Sequence, residues 1–365
     1  MNALPPGSVI GILGGGQLGR MLAMAAARLG LQVSIYSDHT GPAFDVASAH
    51  MVGDFSDLDK VRKWAETVDV ITYEFENVPL DAAAAAAAVK PVRPGAQALE
   101  VAQDRLTEKT FIQNLGIPVA PFAAIDSAED IPAALTQLGG HGILKTRRLG
   151  YDGKGQVRID DVSQAETAFS EIGKAPAILE GLVGFDSEVS VILVRGLDKT
   201  SASYDIPLND HENGILAKST IPGPLNSDLE DQAAAMALKI ADALDYVGVL
   251  AVEMFCSKKN ENAPLIVNEI APRVHNSGHW TMDACAVCQF ENQIRAVAGW
   301  PIGSTKRHSN ATMTNLIGAD AGTWHELASK SGSIVHLYGK NEARPGRKMG
   351  HVNRIFPKEV DQSGS

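Results

Sequence analysis

The sequence uses cysteine sparingly, and this excludes a fold held together by disulfides. Its 365 residues include three cysteines, Cys256, Cys285 and Cys288, too few for a disulfide framework. Cys285 and Cys288 form a C-x-x-C pair, but no second pair completes a zinc site. We expect both to be ordinary packing residues within a helix. Low cysteine content of this kind is typical of the reducing cytoplasm, which is the predicted location.

Positive charge and long apolar runs are also scarce. The chain carries 43 acidic against 32 basic residues, a formal net charge of −11, and such a surface repels nucleic acid and anionic membranes. No apolar run reaches the roughly 20 residues of a membrane span. The N-terminal apolar stretch is interrupted by glycines 14–16 and by Arg20, which argues against a signal peptide. We therefore expect small-molecule ligands and neither nucleic acid nor membrane as a partner.

Aromatic residues are few as well, at 5% of the chain, whereas apolar residues make up 45% and charged residues 21%. This is the composition of a folded globular protein, and its richness in alanine favours helices packed on sheets. A chain of this length exceeds one ordinary core and fits two or three domains.

The first hundred residues have the pattern of a βαβ unit with a parallel sheet. The predicted elements, in order, are the strand Val9–Leu13, the glycine-rich turn 14–19, the helix Arg20–Leu29, the strands Gln32–Tyr36 and Val68–Tyr73, and a helix over the alanine run Ala82–Ala88. Alanine is the best helix former, so the alanine run need not be disordered. Residues 1–104 are predicted to form a doubly wound α/β domain.

The pattern changes after residue 104 to short strands, glycine-rich turns and two helices, which predicts an α+β domain over 105–299. Its predicted elements are the helices Leu106–Leu115 and Leu229–Leu244 and the strands Gly142–Thr146, Ala177–Glu180, Glu188–Val194, Val249–Phe255 and Leu265–Ile270. A lid subdomain is expected at about 120–185. Residues 300–365 carry short strands and a basic loop, which predicts a small β-rich C-terminal domain.

A glycine motif opens the first helix. Gly14, Gly16 and Gly19 form G-x-G-x-x-G between a strand and a helix, where a helix N-terminus favours an anion. One interpretation is a dinucleotide site of a dehydrogenase, with Asp38 at the end of the second strand. A phosphate of another ligand fits equally well, and so does a turn that only permits close helix packing.

Two glutamates interrupt apolar strands late in the chain. Glu253 and Glu269 lie in strands separated by the polar segment 257–263. If that segment turns back, the strands become antiparallel neighbours and the two carboxylates come nearly opposite each other. Paired carboxylates on an apolar sheet need a cation, basic side chains or a shared proton, and oxygen ligands suit Mg²⁺. The alternative is that one glutamate faces solvent at a sheet edge.

A second glycine-rich stretch, residues 150–156, follows the strand that carries Lys145. It lacks the order of a Walker P-loop, but three glycines around Lys154 make a mobile loop able to cover a polyphosphate. Lys145, inside an apolar strand, needs an anionic partner. A plain surface hairpin is the alternative.

The order of these features resembles the ATP-grasp superfamily: a strand lysine, a glycine-rich loop, an E-G-x-V hinge, then Glu and Asn-Glu in successive strands. Along essentially the whole chain it is similar to the N5-carboxyaminoimidazole ribonucleotide synthetases, of which 271–279 is the most specific segment. The stretches that carry this resemblance are 11–20, 73–79, Gln103-Asp104-Arg105, Glu108-Lys109, 150–156, 268–279 and 347–351.

The resemblance implies a role for each matching residue. For ATP, it implies contacts by Arg105, Lys145, Gly150, Tyr151, Asp152, Gly153, Lys154, Gly155, Gln156, Glu180, Gly181, Leu182, Val183, Glu188, His211, Asn268 and Glu269. For the ribonucleotide, it implies contacts by Gln17, Leu18, Glu74, Tyr151, Asp152, Arg273, His275, Lys340, Arg347 and Lys348. It places Mg²⁺ on Glu253 and Glu269, and catalysis on Asp152, Arg273, His275 and Lys348.

The reaction that this resemblance implies joins bicarbonate to aminoimidazole ribonucleotide with the energy of ATP, in purine biosynthesis. The family further implies a homodimer, and a separate mutase for the next step. A formate-using transformylase or a peptide-type ligase of the same superfamily is the nearest alternative. A nucleotide-binding regulator without turnover is another, although it would not need Arg273 and His275.

A basic loop near the C-terminus departs from the acidic character of the chain. Between residues 340 and 354 it has five basic side chains and one acid, Glu342; the basic ones are Lys340, Arg344, Arg347, Lys348 and Arg354. A solvated charged face is one interpretation. We expect instead that the loop meets the glycine turn of the first domain, and that both neutralise the 5′-phosphate of the ribonucleotide.

Overall fold

The computed structural model describes residues 3–150, 153–257 and 263–358. Its N-terminal part is a four-stranded parallel sheet in the order β3-β2-β1-β4. The elements are β1 (Val9–Leu13), α1 (Gln17–Arg28), β2 (Gln32–Ser37), β3 (Ala49–Val52), α2 (Leu58–Ala65), β4 (Val70–Tyr73), α3 (Leu80–Ala87) and α4 (Ala96–Ala102). The parallel pairing confirms the βαβ prediction for this region.

A small antiparallel sheet follows, in the order β5-β8-β6-β7. It is preceded by a helix whose start is fixed by Asp104, because that carboxylate accepts hydrogen bonds from the backbone N–H groups of Leu106 and Thr107. The elements are α5 (Arg105–Asn114), β5 (Phe122–Ile125), α6 (Ile131–Gln137), β6 (Gly142–Thr146), β7 (Gln156–Ile159), α7 (Ala165–Glu171) and β8 (Ala177–Gly181). Helices α6 and α7 pack on this sheet and form a small apolar core with it.

The largest sheet is antiparallel and has nine strands, in the order β14-β13-β9-β11-β12-β15-β17-β16, with β10 beside β9. Its strands are β9 (Ser187–Arg195), β10 (Ser201–Ser203), β11 (Leu208–Glu212), β12 (Ile215–Ile221), β13 (Gly248–Cys256), β14 (Leu265–Ala271), β15 (Ser309–Ile317), β16 (Ser333–Leu337) and β17 (Lys348–Pro357). The accompanying helices are α8 (Ser227–Ala243), α9 (Thr281–Ala284), α10 (Gln289–Ala298) and α11 (Trp324–Ser329).

The C-terminal strands belong to this same sheet. β15 pairs with β12 between Lys218–Ile221 and Ala311–Thr314, and β17 then pairs with β15 along its whole length. Residues 309–357 therefore extend the central sheet rather than forming a sheet of their own.

Two local predictions were wrong. Cys285 and Cys288 are buried, as packing residues would be, but neither lies within a helix. Cys285 follows α9 and Cys288 precedes α10, and both have extended backbone. Helix α1 begins at Gln17 rather than at Arg20, because Gly19 continues the helix instead of ending the turn.

Helix α10 joins the first domain to the large sheet. The side-chain amide of Gln293 donates to the hydroxyl of Thr72 in β4, while its oxygen accepts from the backbone N–H of Val249 in β13. The guanidinium of Arg93 donates to the carbonyl of Val297. All three side chains are buried, so these bonds hold the two sheets at a fixed separation.

The helices of the described ranges are too short or too polar to cross a bilayer. The longest of them, α8, has 17 residues.

Three histidine rings contact one another: His336 on β16 stacks on His351 of β17, and His279, which precedes α9, is tilted against His351. The ring of His351 lies 4.5 Å from that of His336 and 4.9 Å from that of His279, measured between centroids. Burial, with a smaller contribution from His336, lowers the pKa of His279 to about 3. Burial likewise lowers the pKa of His351 well below its ordinary value. Both rings are therefore neutral in the folded protein near neutral pH.

This stack should make the fold sensitive to acid. A histidine whose pKa is about 6.5 when unfolded and about 3 when folded stabilises the fold fully above pH 6.5, and that stability is lost as the pH falls. For His279 alone the loss at pH 5 is about 2 kcal/mol. We expect His279→Gln to flatten the dependence of the unfolding free energy on pH between 7 and 5, measured by urea denaturation. The exposed His325 supplies the control His325→Gln. An unchanged pH dependence in His279→Gln would contradict the assignment.

Candidate active site

Glu253 and Glu269 face each other across neighbouring strands. They are direct partners in the antiparallel register of β13 and β14, with a bulge immediately after Glu253, which confirms the alignment predicted from the loop between them. Burial, reinforced by the Glu269 carboxylate, raises the pKa of Glu253 to about 8. Burial and the same carboxylate also raise the pKa of Glu108 to about 8. The Glu269 carboxylate thus lies close enough to both Glu253 and Glu108 to disfavour the ionisation of each.

The alternative interpretation, that one glutamate of the pair faces solvent at a sheet edge, is partly correct. Glu269 is exposed and β14 is the outermost strand of its sheet. The free edge of β14 is nevertheless covered, because Val119 bridges to Val267 and the Glu108 carboxylate accepts from the backbone N–H of Ile270 at 2.7 Å. The exposed Glu269 carboxylate, beside the half-buried Glu253 and the buried Glu108, is accessible to a cation that arrives with its own ligands.

The residues that follow β14 contact both Glu253 and the first domain. The Nε2 atom of His275 lies 3.1 Å from Oε1 of Glu253. Two residues earlier, the guanidinium of Arg273 forms an ion pair with Glu76, which follows β4. Burial alone would raise the pKa of Glu76, but Arg273 outweighs it and lowers that pKa. The segment 273–275 therefore brings the paired glutamates close to the carboxyl end of the parallel sheet.

The glycine turn binds an anion, and that anion is a side chain of the protein. The Glu74 carboxylate accepts from the backbone N–H groups of Gly16, at 2.8 Å, and Gly19, at 3.3 Å. A Cβ atom added at Gly16 would lie 2.7 Å from Oε1 of Glu74, and one at Gly14 would lie 2.6 Å from its Cγ. The glycines thus make room for Glu74. Two amides of the turn are therefore occupied by a carboxylate of the protein. The expectation that the start of the helix faces a ligand phosphate stays a prediction.

The two residues at the start of α1 remain candidates for ligand contact in different ways. Gln17 is half-buried, whereas the side chain of Leu18 packs in the main apolar core. Only the backbone of Leu18 is therefore suited to contact a ligand.

Lys145 has its anionic partner within the protein. Its Nζ lies 3.0 Å from Oε2 of Glu180, and Nζ of Lys109 lies 3.5 Å from the same oxygen. Burial alone would raise the pKa of Glu180, but the two lysines outweigh it and lower that pKa. Glu180 is the first residue of the expected hinge, and its side chain is buried against these lysines. Gly181, Leu182 and Val183, which complete the hinge, are half-buried.

The glycine-rich loop is anchored at its base by Arg105. The guanidinium donates to the carbonyls of Thr146 and Gly150, at 3.2 and 3.1 Å. Gly153 and Gly155 have φ angles of 76° and 71°, in the left-handed region that favours glycine, and Gln156 begins β7. Lys154 also lies within the loop. Tyr151 and Asp152 lie outside the described residues, so their predicted roles stay predictions.

A histidine and a glutamate lie side by side where β9 and β11 meet. The Nδ1 atom of His211 is 3.2 Å from Oε2 of Glu188. Although burial favours the neutral ring, the Glu188 carboxylate raises the pKa of His211. The Glu253 carboxylate also raises the pKa of His211. The His211–Glu188 pair therefore lies close enough to the metal candidate Glu253 for their charges to interact. Asn268, beside Glu269 on β14, is half-buried.

The basic loop reaches the first domain. A Cβ atom added at Gly339 would lie 3.5 Å from a guanidinium nitrogen of Arg20 in α1. At the base of the loop, Nζ of Lys340 donates to the carbonyl of Lys348 at 2.7 Å. The charge of Lys348 lowers the pKa of Glu253 and of Glu76, which places it between the paired glutamates and the first domain.

The arginines of the loop differ in their surroundings. Arg347 is half-buried and donates to the carbonyl of Glu342 at 3.0 Å, whereas Arg344 is exposed and paired with the Glu342 carboxylate. Arg354 lies on β17, is exposed, and is away from the loop.

The chain matches three family models that together cover most of its length. Residues 8–103 match the ribonucleotide synthetase pre-ATP-grasp domain, 110–290 the ATP-grasp domain, and 311–361 the phosphoribosylaminoimidazole carboxylase C-terminal domain. The N5-carboxyaminoimidazole ribonucleotide synthase of Brucella melitensis is 52% identical over 98% of this chain and 99% of that protein. The chain belongs to the N5-carboxyaminoimidazole ribonucleotide synthase family. This confirms the resemblance found in the sequence, and with it the ATP-grasp fold class.

Solved structures of the synthase family have the same fold. The ADP complex of one N5-carboxyaminoimidazole ribonucleotide synthetase matches with a TM-score of 0.93 and 38% identity, over 98% of this chain and 95% of that chain. The Aspergillus clavatus synthase, in complex with ADP and 5-aminoimidazole ribonucleotide, matches with a TM-score of 0.88 and 30% identity, over 97% and 95% of the two chains.

Sequence reasoning assigned no role to several residues of the site. Glu76, Glu108 and Lys109 were noticed only as parts of family-like stretches. Glu76 is nevertheless paired with Arg273, Lys109 is buried against Glu180, and Glu108 is buried near Glu269. One available signal was the position of Glu108 and Lys109 in the first turns of a helix that must pack on a sheet. Ser190, Asn209 and Ser277, which form a buried polar chain behind His275, give no such signal, because small polar residues are common in strands and turns.

The close approach of Glu74 to the glycine turn can be tested by its effect on stability. We expect Gly16→Ala to lower the free energy of unfolding by about 2–3 kcal/mol, because the added methyl group would overlap the Glu74 carboxylate. Urea denaturation measures this. Gly322→Ala, at a position where an added Cβ meets nothing within 4 Å, is the matched control and should change the stability by less than about 0.5 kcal/mol. Equal effects of the two substitutions would contradict the packing argument.

Proposed function

We propose that this chain uses ATP and bicarbonate to carboxylate 5-aminoimidazole ribonucleotide, giving N5-carboxyaminoimidazole ribonucleotide, ADP and phosphate. The observation that carries the proposal is the segment 273–275. His275 contacts Glu253 of the carboxylate pair, while Arg273 contacts Glu76 of the first domain. A reaction that couples a nucleotide to a second substrate needs this kind of junction between two sites.

The nucleotide side is assigned to the residues around the glycine-rich loop. Lys145 and Arg105 are the cations at its base, and the hinge 180–183, with Glu188, His211 and Asn268, is assigned to the adenosine part. Lys109 is buried against Glu180. If ATP phosphates draw Lys145 away, Lys109 remains to balance the charge of Glu180.

The Glu253–Glu269 pair fits a divalent cation. Two facing carboxylates, one with a pKa raised to about 8, are a donor set that lacks positive charge. In the described part of the chain, His, Cys, Asp and Glu side chains do not gather in groups of three or more that could hold a metal, so phosphate oxygens and water must complete the coordination, as Mg²⁺ prefers. When bound, Mg²⁺ would neutralise charge on the ATP phosphates.

The chemistry proceeds in two steps. A bicarbonate oxygen attacks the γ-phosphorus of ATP, the bond to the ADP oxygen breaks, and carboxyphosphate forms. Carboxyphosphate then divides into CO₂ and phosphate, and the exocyclic amine of the ribonucleotide attacks the CO₂ carbon and loses a proton. Arg273 and Lys348 supply fixed positive charge for the anions, and closure of the loop 150–156 excludes water from carboxyphosphate. Asp152 is our candidate for the proton of the amine.

The other interpretations have less support. None of the relatives described above is a formate-using transformylase by name. A dehydrogenase would need the amides of the glycine turn, which Glu74 already occupies. A regulator without turnover leaves the contacts of Arg273 and His275 without a purpose.

We further propose the domain limits 1–104, 105–299 with a lid at about 120–185, and 300–365. We also propose that the protein is a cytoplasmic homodimer. Its product is proposed to pass to a separate mutase.

The experiment that tests the function measures ADP and carboxylated ribonucleotide together. We expect ADP release to require both bicarbonate and 5-aminoimidazole ribonucleotide, with ¹³C from bicarbonate on the exocyclic nitrogen of the product. Glu269→Gln should lose at least about 100-fold in turnover because the cation site is weakened, and it supplies the inactive control if its thermal unfolding is unchanged. ADP release that ignores bicarbonate, or that follows formate, would refute the proposal.

A second experiment concerns the basic loop and the ribonucleotide phosphate. We expect Arg347→Ala to raise the KM for the ribonucleotide at least about tenfold, or about 1.4 kcal/mol, and to leave the KM for ATP nearly unchanged. The reason is that Arg347 is half-buried beside a backbone carbonyl, with no acid directly bonded to its guanidinium in the described contacts. Arg344→Ala, which removes an exposed and already paired arginine, is the matched control. The reverse pattern of KM values would place the loop at the ATP site.

A further inference from the structure

The imidazole ring of His275 is hydrogen-bonded at both nitrogens. Its Nε2 lies 3.1 Å from Oε1 of Glu253. Its Nδ1 lies 2.9 Å from the hydroxyl of Ser277 and 3.3 Å from the backbone nitrogen of the same residue. The ring therefore has one defined orientation between a carboxylate and a turn of the backbone.

The backbone contact decides which nitrogen carries the proton. A peptide N–H can only donate, so the Nδ1 that faces Ser277 must accept. The neutral ring then carries its proton on Nε2 and donates it to Glu253. A ring whose Nδ1 accepts a hydrogen bond carries a single proton and is therefore neutral.

A chain of buried side chains lies behind the Ser277 hydroxyl. The hydroxyls of Ser277 and Ser190 are 2.7 Å apart, the side-chain amide of Asn209 donates to Ser190 at 2.9 Å, and Ser219 donates to Asn209 at 2.8 Å. Each of these residues is at most 4% exposed. If every donor is used once, Ser190 donates to Ser277 and Ser277 donates to His275, which agrees with the backbone contact.

This chain orients the ring and does not conduct protons. The amide of Asn209 neither gains nor loses a proton near neutral pH, and the chain ends at Ser219, which is fully buried. The backbone of His275 is fixed as well, because the side-chain amide of Gln289 accepts from its N–H at 2.9 Å and donates to its carbonyl at 2.7 Å. Both the position and the tautomer of the ring are thus set by the fold.

We infer that Ser277 and Ser190 are positioning residues that hold neutral His275 with its proton on Nε2, so that His275 acts as a hydrogen-bond donor to an oxygen of the bicarbonate-derived group and not as a general base. The inference rests on the proposed function for the identity of that group. The assignment of the tautomer does not depend on it.

The tautomer is measured first, in the full-length protein without substrates. Long-range ¹H–¹⁵N correlation spectra distinguish a protonated ring nitrogen from an unprotonated one, and His275→Gln identifies the signal among the ten histidines. We expect Nδ1 of His275 to be unprotonated and hydrogen-bonded. In Ser277→Ala its ¹⁵N shift should move towards that of a nitrogen without a hydrogen bond. Ser187→Ala is the control, because it removes a buried hydroxyl on the same strand as Ser190 that has no partner in the described structure; the His275 shift should stay the same. A protonated Nδ1 in the wild-type protein would overturn the inference.

Turnover tests the donor role. A glutamine side chain can place an N–H donor near the position of Nε2 but cannot accept a proton. We therefore expect His275→Gln to retain at least about one tenth of wild-type kcat for carboxylation, and His275→Ala less than about one hundredth. Equal losses in the two variants would overturn the donor role.

Ser277→Ala tests positioning by comparison of two backgrounds. In the wild-type background it should lower kcat about tenfold, with the KM for ATP within about twofold. In the His275→Gln background it should lower kcat less than twofold, because no ring remains to be oriented. An equal effect in both backgrounds would mean that Ser277 has only a structural role. Should carboxylation be absent from the wild-type protein while Nδ1 is unprotonated, the proposed function fails and the donor role falls with it, but the tautomer assignment stands.

Discussion

The repulsion between Glu253 and Glu269 is the constraint around which the candidate site is arranged. Two carboxylates in direct register on an apolar sheet cannot both be ionised without compensation, and the raised pKa of Glu253 expresses that deficit. The protein compensates in part, with the Nε2–H of His275 and the charge of Lys348. The remaining deficit supports the proposal that a cation binds here together with a substrate.

The same principle explains how an acidic protein prepares for anionic substrates. Its buried and half-buried cations are paired with its own carboxylates: Lys145 and Lys109 with Glu180, and Arg273 with Glu76. Burying such charges unpaired would cost several kcal/mol each, so the carboxylates of the protein stabilise these cations in the absence of a ligand. Positive charge is thereby kept at the site although the net charge of the chain is −11.

Sequence reasoning succeeded where the deciding contacts are local along the chain. The register of β13 and β14 followed from the short polar segment between them, and the βαβ unit from hydrophobic periodicity around one glycine turn. It failed where the deciding partner is distant. Gly16 and Glu74 are 58 residues apart, and the motif alone cannot distinguish an external phosphate from a carboxylate of the protein. For the same reason, the partner of Lys145 was expected to be a ligand rather than Glu180.

If the ribonucleotide phosphate binds beside the glycine turn, as proposed, the contact with Glu74 changes what must neutralise that phosphate. Because Glu74 occupies the amides of Gly16 and Gly19, the start of α1 offers less positive potential than a free helix N-terminus. Basic side chains must then supply the rest, and the sheet order explains how they reach the site. Strands β15 and β17 continue the sheet that begins with Glu269 on β14, and β17 begins at Lys348, within the basic stretch 340–354. One continuous sheet thus connects the Glu253–Glu269 pair to the basic loop, which supports the proposal that the two substrates bind at a fixed distance from each other.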